Sequence, residues 1–203
     1  SKVKKAIQPL FDDWKSEMAE RSFPHYLELA KVSDTWIHWL IEAQLDLTAK
    51  KELFRRKLNG WLSELKKDSK AFKKQWGWLA RLTADMSESQ KLKQKYPMFW
   101  KTVLPEKPEA DDLLGNFRCN VLKKMKAGSC LKPAVDAWQA HLRRIVPDPA
   151  NVYKADYTDH AHWAKALYEL NPKAYTALLA QWRKKHNRRR NLWRDMKAAS
   201  LSI

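Results

Sequence analysis

Residues 133–149 read PAVDAWQAHLRRIVPDP, and this stretch decides the class of fold. Val135, Trp138, Leu142 and Ile145 recur at three- and four-residue steps, the period that lines side chains along one face of an α-helix. Pro133 suits a first helical turn, where its missing N–H costs nothing, and Pro147-Asp148-Pro149 stops the helix. The spacing predicts a helix with one buried stripe and firm ends.

Toward the carboxyl end, a short helix is expected from about Thr158 to Leu170. Asn171-Pro172 then supplies an N-cap followed by proline at the first helical position, so the last helix begins there. On the amino side, Glu109, Asp111 and Asp112 precede an apolar series that closes on Lys123, Lys124 and Lys126 before Gly128. Acid at the start, base at the end and glycine beyond it match the helix dipole and a C-terminal cap.

Pro97, Pro105 and Pro108, with Ser87 and Ser89, predict irregular chain over residues 85–108 apart from a turn or two around Gln90 to Gln94. Before this, Trp61, Leu62, Leu65, Phe72, Trp76, Leu79 and Leu82 fall on one side, with a break expected at Asn59-Gly60 and a second interruption at Asp68-Ser69. One kinked helix or a hairpin would satisfy that pattern. A long core helix is expected from Asp34 to Leu58, and an amphipathic first helix over residues 2–20, ended before Pro24.

Only 4 glycines and 9 prolines occur in 203 residues, which leaves little turn chemistry for a β protein. The fold class is therefore all-α, a compact bundle of about seven or eight helices. It is expected as one unit, or as two lobes, residues 1–104 and 109–203, joined by the Pro-containing linker. The apolar runs fall short of the ~20 residues that span a bilayer, and no secretory leader is evident. The expectation is a soluble protein without a membrane partner, in the cytoplasm, nucleoid or nucleus. Cys119 and Cys130 lack a C-x-x-C spacing or histidine partners, so two reduced thiols are expected rather than a disulfide or a zinc site.

Forty Lys and Arg against 23 Asp and Glu leave a net charge of +17, a surplus that an acidic partner would neutralise. It is uneven. Residues 1–66 are nearly balanced, whereas residues 67–104 and 148–203 each carry a surplus of six positive charges. Within 173–197, Lys173, Arg183, Lys184, Lys185, Arg188, Arg189, Arg190, Arg194 and Lys197 face the single acid Asp195. A merely soluble helix would use i,i+4 ion pairs, and this run forgoes them. Arginine outnumbers lysine here, and its planar fork suits phosphate. No apolar residue occurs from Arg183 to Asn191, so a helix there would project or lie on something polar, with Trp182 and Trp193 clamping its ends.

A second patch comprises Lys66, Lys67, Lys70, Lys73 and Lys74, with Arg81 beyond, of which Lys66, Lys70, Lys73 and Lys74 read as an exposed stripe opposite Phe72, Trp76 and Leu79. A third comprises Lys123, Lys124 and Lys126, which the helix dipole alone would also explain. Of the eleven tryptophans, Trp14, Trp36, Trp39, Trp138 and Trp163 occupy core positions. Trp182, Trp193 and the Tyr96, Phe99, Trp100 cluster are the candidates for stacking on unpaired bases.

No nucleophile motif, phosphate-binding glycine loop, dinucleotide turn or HExxH pattern is present. His160 and His162 lie about 200° apart on a helix and would not share a metal, and His141 is expected at or near the surface. Residues 92–157, from Leu92 through Pro97, Gly115 and Phe117 to Trp138 and Tyr157, resemble the FinO and ProQ RNA chaperones in order of features. The Arg-x-Asp-Leu signature of that family is missing, and no residue role is carried across. The expectation is a non-enzymatic protein without cofactor or metal that holds the phosphate backbone of DNA or RNA beside other proteins of a nucleoprotein assembly. The alternatives are an adaptor whose basic helix docks on an acidic protein and, third, a nuclease.

Overall fold

A computed structural model describes residues 50–67, 69–104, 119–150 and 155–203, without the side chains of Lys50, Ser69 and Lys74. The helix expected over residues 2–20, the start of the one from Asp34, the acidic residues 109–112 and Trp14, Trp36 and Trp39 lie outside this range. The described residues are 82% helical and hold no strand, so the all-α bundle stands. No helix among them is long and apolar enough to cross a membrane.

Helices α1 (Lys50–Lys67) and α2 (Ser69–Asp85) form a hairpin. Trp61 Nε1 donates to Gln75 Oε1 at 2.8 Å, whereas fourteen residues of straight helix would separate them by about 21 Å. The turn falls at the second of the two expected interruptions. Asn59-Gly60 is no break: Gly60 sits inside α1, where its cost against alanine is only about 1 kcal/mol and the buried stripe of Phe54, Leu58, Leu62 and Leu65 carries the helix through.

The turn or two expected around Gln90 to Gln94 is helix α3 (Ser89–Lys95), and the segment expected to be irregular beyond it holds a second short helix, α4 (Pro97–Val103). Pro97 opens α4 at its first position rather than breaking a helix. No local side chain caps α4, and the cap comes from far along the chain: Glu169 accepts the backbone N–H groups of Met98 at 3.1 Å and Phe99 at 2.9 Å. A carboxylate at a helix N-terminus satisfies two free donors and complements the dipole at once.

Residues 119–124 are helical and lead to a 3₁₀ turn, Ala127–Cys130. The left-handed cap falls on Lys126, at φ 54°, not on Gly128. Gly128 serves a different need, since a Cβ there would come within 2.7 Å of the Glu88 side chain. Helices α5 (Leu131–Ile145), α6 (Thr158–Leu170), α7 (Pro172–His186) and α8 (Arg190–Ala198) complete the described chain. The expected Asn171 cap is present, its side chain accepting from the Ala174 N–H at 3.1 Å. Both cysteines are free thiols, and Cys130 is buried.

Trp138 of α5 is the centre of the packing. It is fully buried and meets Phe72 and Trp76 of α2 and Phe99 of α4 edge to face, with ring centroids 6.4, 6.3 and 5.3 Å away. Trp76 in turn meets Trp163 of α6 at 5.7 Å. Such contacts favour the edge-to-face quadrupole geometry beyond simple area burial. His141 is not at the surface but buried, stacked on Phe72 at 4.1 Å with Nδ1 against the Ala137 carbonyl. Residues from Phe54 to Leu201 thus share one hydrophobic cluster that spans the Pro-containing segment.

Helix α6 is the hub of the carboxyl-terminal part. It packs against α4, α5, α7 and α8, which small buried residues, Ala161, Ala164 and Ala166, allow by close approach.

Replacing Trp138 by Ala should remove the shared partner of three aromatic rings and cost about 3–5 kcal/mol, read from the urea midpoint. Glu169→Ala should cost about 1–2 kcal/mol through lost capping. Unchanged midpoints would contradict this view of the core.

Candidate nucleic-acid interface

The basic run of residues 183–197 does not form one projecting helix. Tyr175, Leu178, Trp182 and His186 make the buried stripe of α7, and the next place on that stripe falls among Arg188, Arg189 and Arg190, which cannot enter the core. The chain instead leaves the helix after His186, turns through residues 187–189 and starts α8, whose Leu192 and Met196 return to the interior. The result is a corner with a buried inner face and a basic outer one.

Three sets of hydrogen bonds hold the corner. Trp193 Nε1 donates to the carbonyls of His186 at 3.1 Å and Asn187 at 3.2 Å, so an α8 side chain closes the end of α7. Arg189 Nη1 donates to the Tyr157 hydroxyl at 3.0 Å, which donates to the Ala150 carbonyl at 2.9 Å. Asp195 accepts the Tyr157 N–H through Oδ2 at 3.1 Å and Arg194 Nε through Oδ1 at 3.0 Å. The one acid of this segment is thus occupied beneath the corner.

The cations divide accordingly. Arg183, Lys184, Lys185, Arg188, Arg190 and Lys197 are exposed, and among the described residues no ion pair neutralises any of them. Arg189 is half-buried and Arg194 is engaged with Asp195, so these two serve the local structure as well. Arg183, Lys184 and Lys185 lie in the last turn of α7, where the dipole favours them. Arg188, Arg189 and Arg190 crowd the start of α8, where it does not, and no side chain caps that end.

Of the stacking candidates, Trp182 and Phe99 are buried and belong to the core, since an aromatic ring with no exposed face offers no platform. Trp100 and Trp193 are partly exposed and pack against the core.

The second patch is divided by the hairpin and is not a stripe on one helix. Lys66 and Lys67 end α1, Lys67 pairing with Glu64 at 2.9 Å, while Lys70 and Lys73 open α2; all four are exposed. The side chain of Lys74 lies outside the described residues. Lys123, Lys124 and Lys126 are exposed around the turn before the 3₁₀ element. The corner rests on α6, whereas the α1–α2 hairpin packs on α5, so the clusters are attached to different parts of the framework.

Beneath the corner lie His186 and His160, whose buried Nδ1 atoms have no hydrogen-bond partner. Burial, and next the charge of Arg189, holds the His186 imidazole below the usual histidine range, with Lys185 and His160 acting in the same direction and Asp148 opposing them. No group of three or more histidine, cysteine or carboxylate side chains among the described residues could hold a metal ion.

A depressed histidine pKa means that the unfolded chain takes up the proton first, so stability is intact above the unfolded value near 6.5 and declines as pH falls below it. Denaturant titrations from pH 7.5 to 5 should give a decline that is smaller in His186→Gln than in the parent; equal slopes would refute the assignment. Arg189→Ala should cost roughly 1 kcal/mol of stability through the Tyr157 contact, whereas Arg188→Ala, on an exposed residue, should leave the midpoint unchanged.

Comparison with protein families, with curated proteins and with solved structures finds no match for this chain.

Proposed function

We propose that this protein binds nucleic acid, DNA or RNA, through the phosphate backbone, with the α7–α8 corner as the principal contact, and that it acts without catalysis as an accessory component of a nucleoprotein assembly. One observation carries the reading: six exposed Lys and Arg side chains, unpaired among the described residues, are gathered on fifteen residues of chain. Like charges held this close raise the energy of the free protein, and a polyanion relieves that repulsion by releasing its own condensed counterions.

The chemistry of the corner supports phosphate in particular. Arginine forks reach two phosphate oxygens at once, and a buried inner face holds the backbone that carries them, so fewer degrees of freedom are lost on binding. Lys66, Lys67, Lys70 and Lys73 at the α1–α2 hairpin, and Lys123, Lys124 and Lys126, are secondary contacts in this proposal.

Affinity for a duplex measured across salt concentrations tests it. Six to eight phosphate contacts give a log–log slope of roughly −5 to −7, and Arg188→Ala with Arg190→Ala should flatten it by about 2 and weaken binding to all sequences alike. A flat salt response overturns the proposal. Failure to bind any oligonucleotide, together with capture of an acidic protein, would turn the corner into a protein-docking surface.

A further inference from the structure

Arg183 of α7 and Asn187 just beyond its end, Trp193 and Lys197 of α8, and Ile203 line one open groove of about 370 Å³ on the corner. Trp193 and Lys197, four apart, lie on one side of α8, and Arg183 and Asn187 come from the end of α7 and the turn after it, so the groove lies at the seam between the two helices. Its volume is within the range of small-ligand sites, about 300–1,000 Å³.

The indole is fixed in place before anything arrives. Its N–H is committed to the carbonyls of His186 and Asn187, which sets the plane of the ring and leaves it no donor to offer a ligand. It can therefore contribute only its π-face and its apolar edge. Arg183 and Lys197 stand in the same groove, exposed and without an ion pair among the described residues.

A fixed aromatic surface sharing a groove with two cations suits a flat, uncharged heterocycle joined to phosphates. We infer that the groove takes an unpaired nucleobase of a single-stranded segment, stacked on Trp193, with the flanking phosphates on Arg183 and Lys197. This deepens the phosphate-backbone reading above and rests on it. A base inside a duplex is stacked on both faces and cannot reach the ring without being extruded, so the groove adds affinity only for unpaired strands. Because the indole donates nothing to the base, the preference is for exposed bases as a class and not for one sequence.

Two strands of equal length and phosphate count test this, a 12-mer DNA with bases and the same backbone made abasic, titrated by fluorescence anisotropy at fixed salt. The base-bearing strand should bind roughly tenfold tighter. Trp193→Leu should abolish that difference between the strands, and Trp193→Phe, which loses the same N–H but keeps an aromatic face, should keep part of it. Circular dichroism melting of each variant separates loss of stacking from loss of the corner. Equal affinity of the parent protein for both strands overturns the groove and leaves the phosphate reading standing. Failure of either strand, and of a duplex, to bind overturns both.

Discussion

The burial of Trp182, Leu192 and Met196, on the two helices that pack on α6, is the constraint from which the character of the carboxyl-terminal region follows. Each sits on a helix whose other side is crowded with Lys and Arg, so turning the apolar side inward leaves the charges nowhere to go but outward. Exposing the Trp182 indole instead would forfeit a few kcal/mol of hydrophobic stabilisation. The resulting positive surface is thus a consequence of packing on α6, and it persists only as long as that packing does.

The same packing explains why the charges are not neutralised internally. A segment with nine bases could have been laced with carboxylates at i,i+4 spacing, as the exposed Lys132–Asp136 pair of α5 is. Its single acid, Asp195, lies 11% exposed beneath the corner and meets the Tyr157 N–H as well as Arg194. Arg189 is likewise turned toward the Tyr157 hydroxyl. The one carboxylate is thus taken up by Arg194 and by the backbone beneath the corner, and it neutralises none of the six other exposed cations. A surface built in this way retains its repulsion until an external anion arrives, and this is the physical content of the nucleic-acid proposal.

Much of the fold is written in local residue pattern. The Thr158–Leu170 helix, the Asn171-Pro172 start of α7 and the Pro147-Asp148-Pro149 stop are all found where the residues indicate, because caps and prolines act within one turn of chain. What local pattern does not carry is set by distant partners. Helix α4 is capped by Glu169, some seventy residues away, so the prolines around it read as disorder of structure when one of them begins a helix. The break after His186 has no glycine or proline to announce it; it arises because Arg189 and Arg190, three and four residues on, would otherwise follow His186 into the core. The same run revealed the basic surface plainly, while the corner's shape, the structural share taken by Arg189 and the burial of Trp182 depend on where α6 lies. The Trp193 groove is of the same kind, since it exists only once residues 183 and 197 are folded together.

The most direct measurement is amide hydrogen–deuterium exchange of the full chain with and without a saturating oligonucleotide. Contact at the α7–α8 corner predicts slowed exchange centred on residues 183–197, greatest through the turn at 187–189. Exchange there that is unchanged by saturating ligand, with protection confined to the α1–α2 hairpin or to residues 119–126, would contradict it.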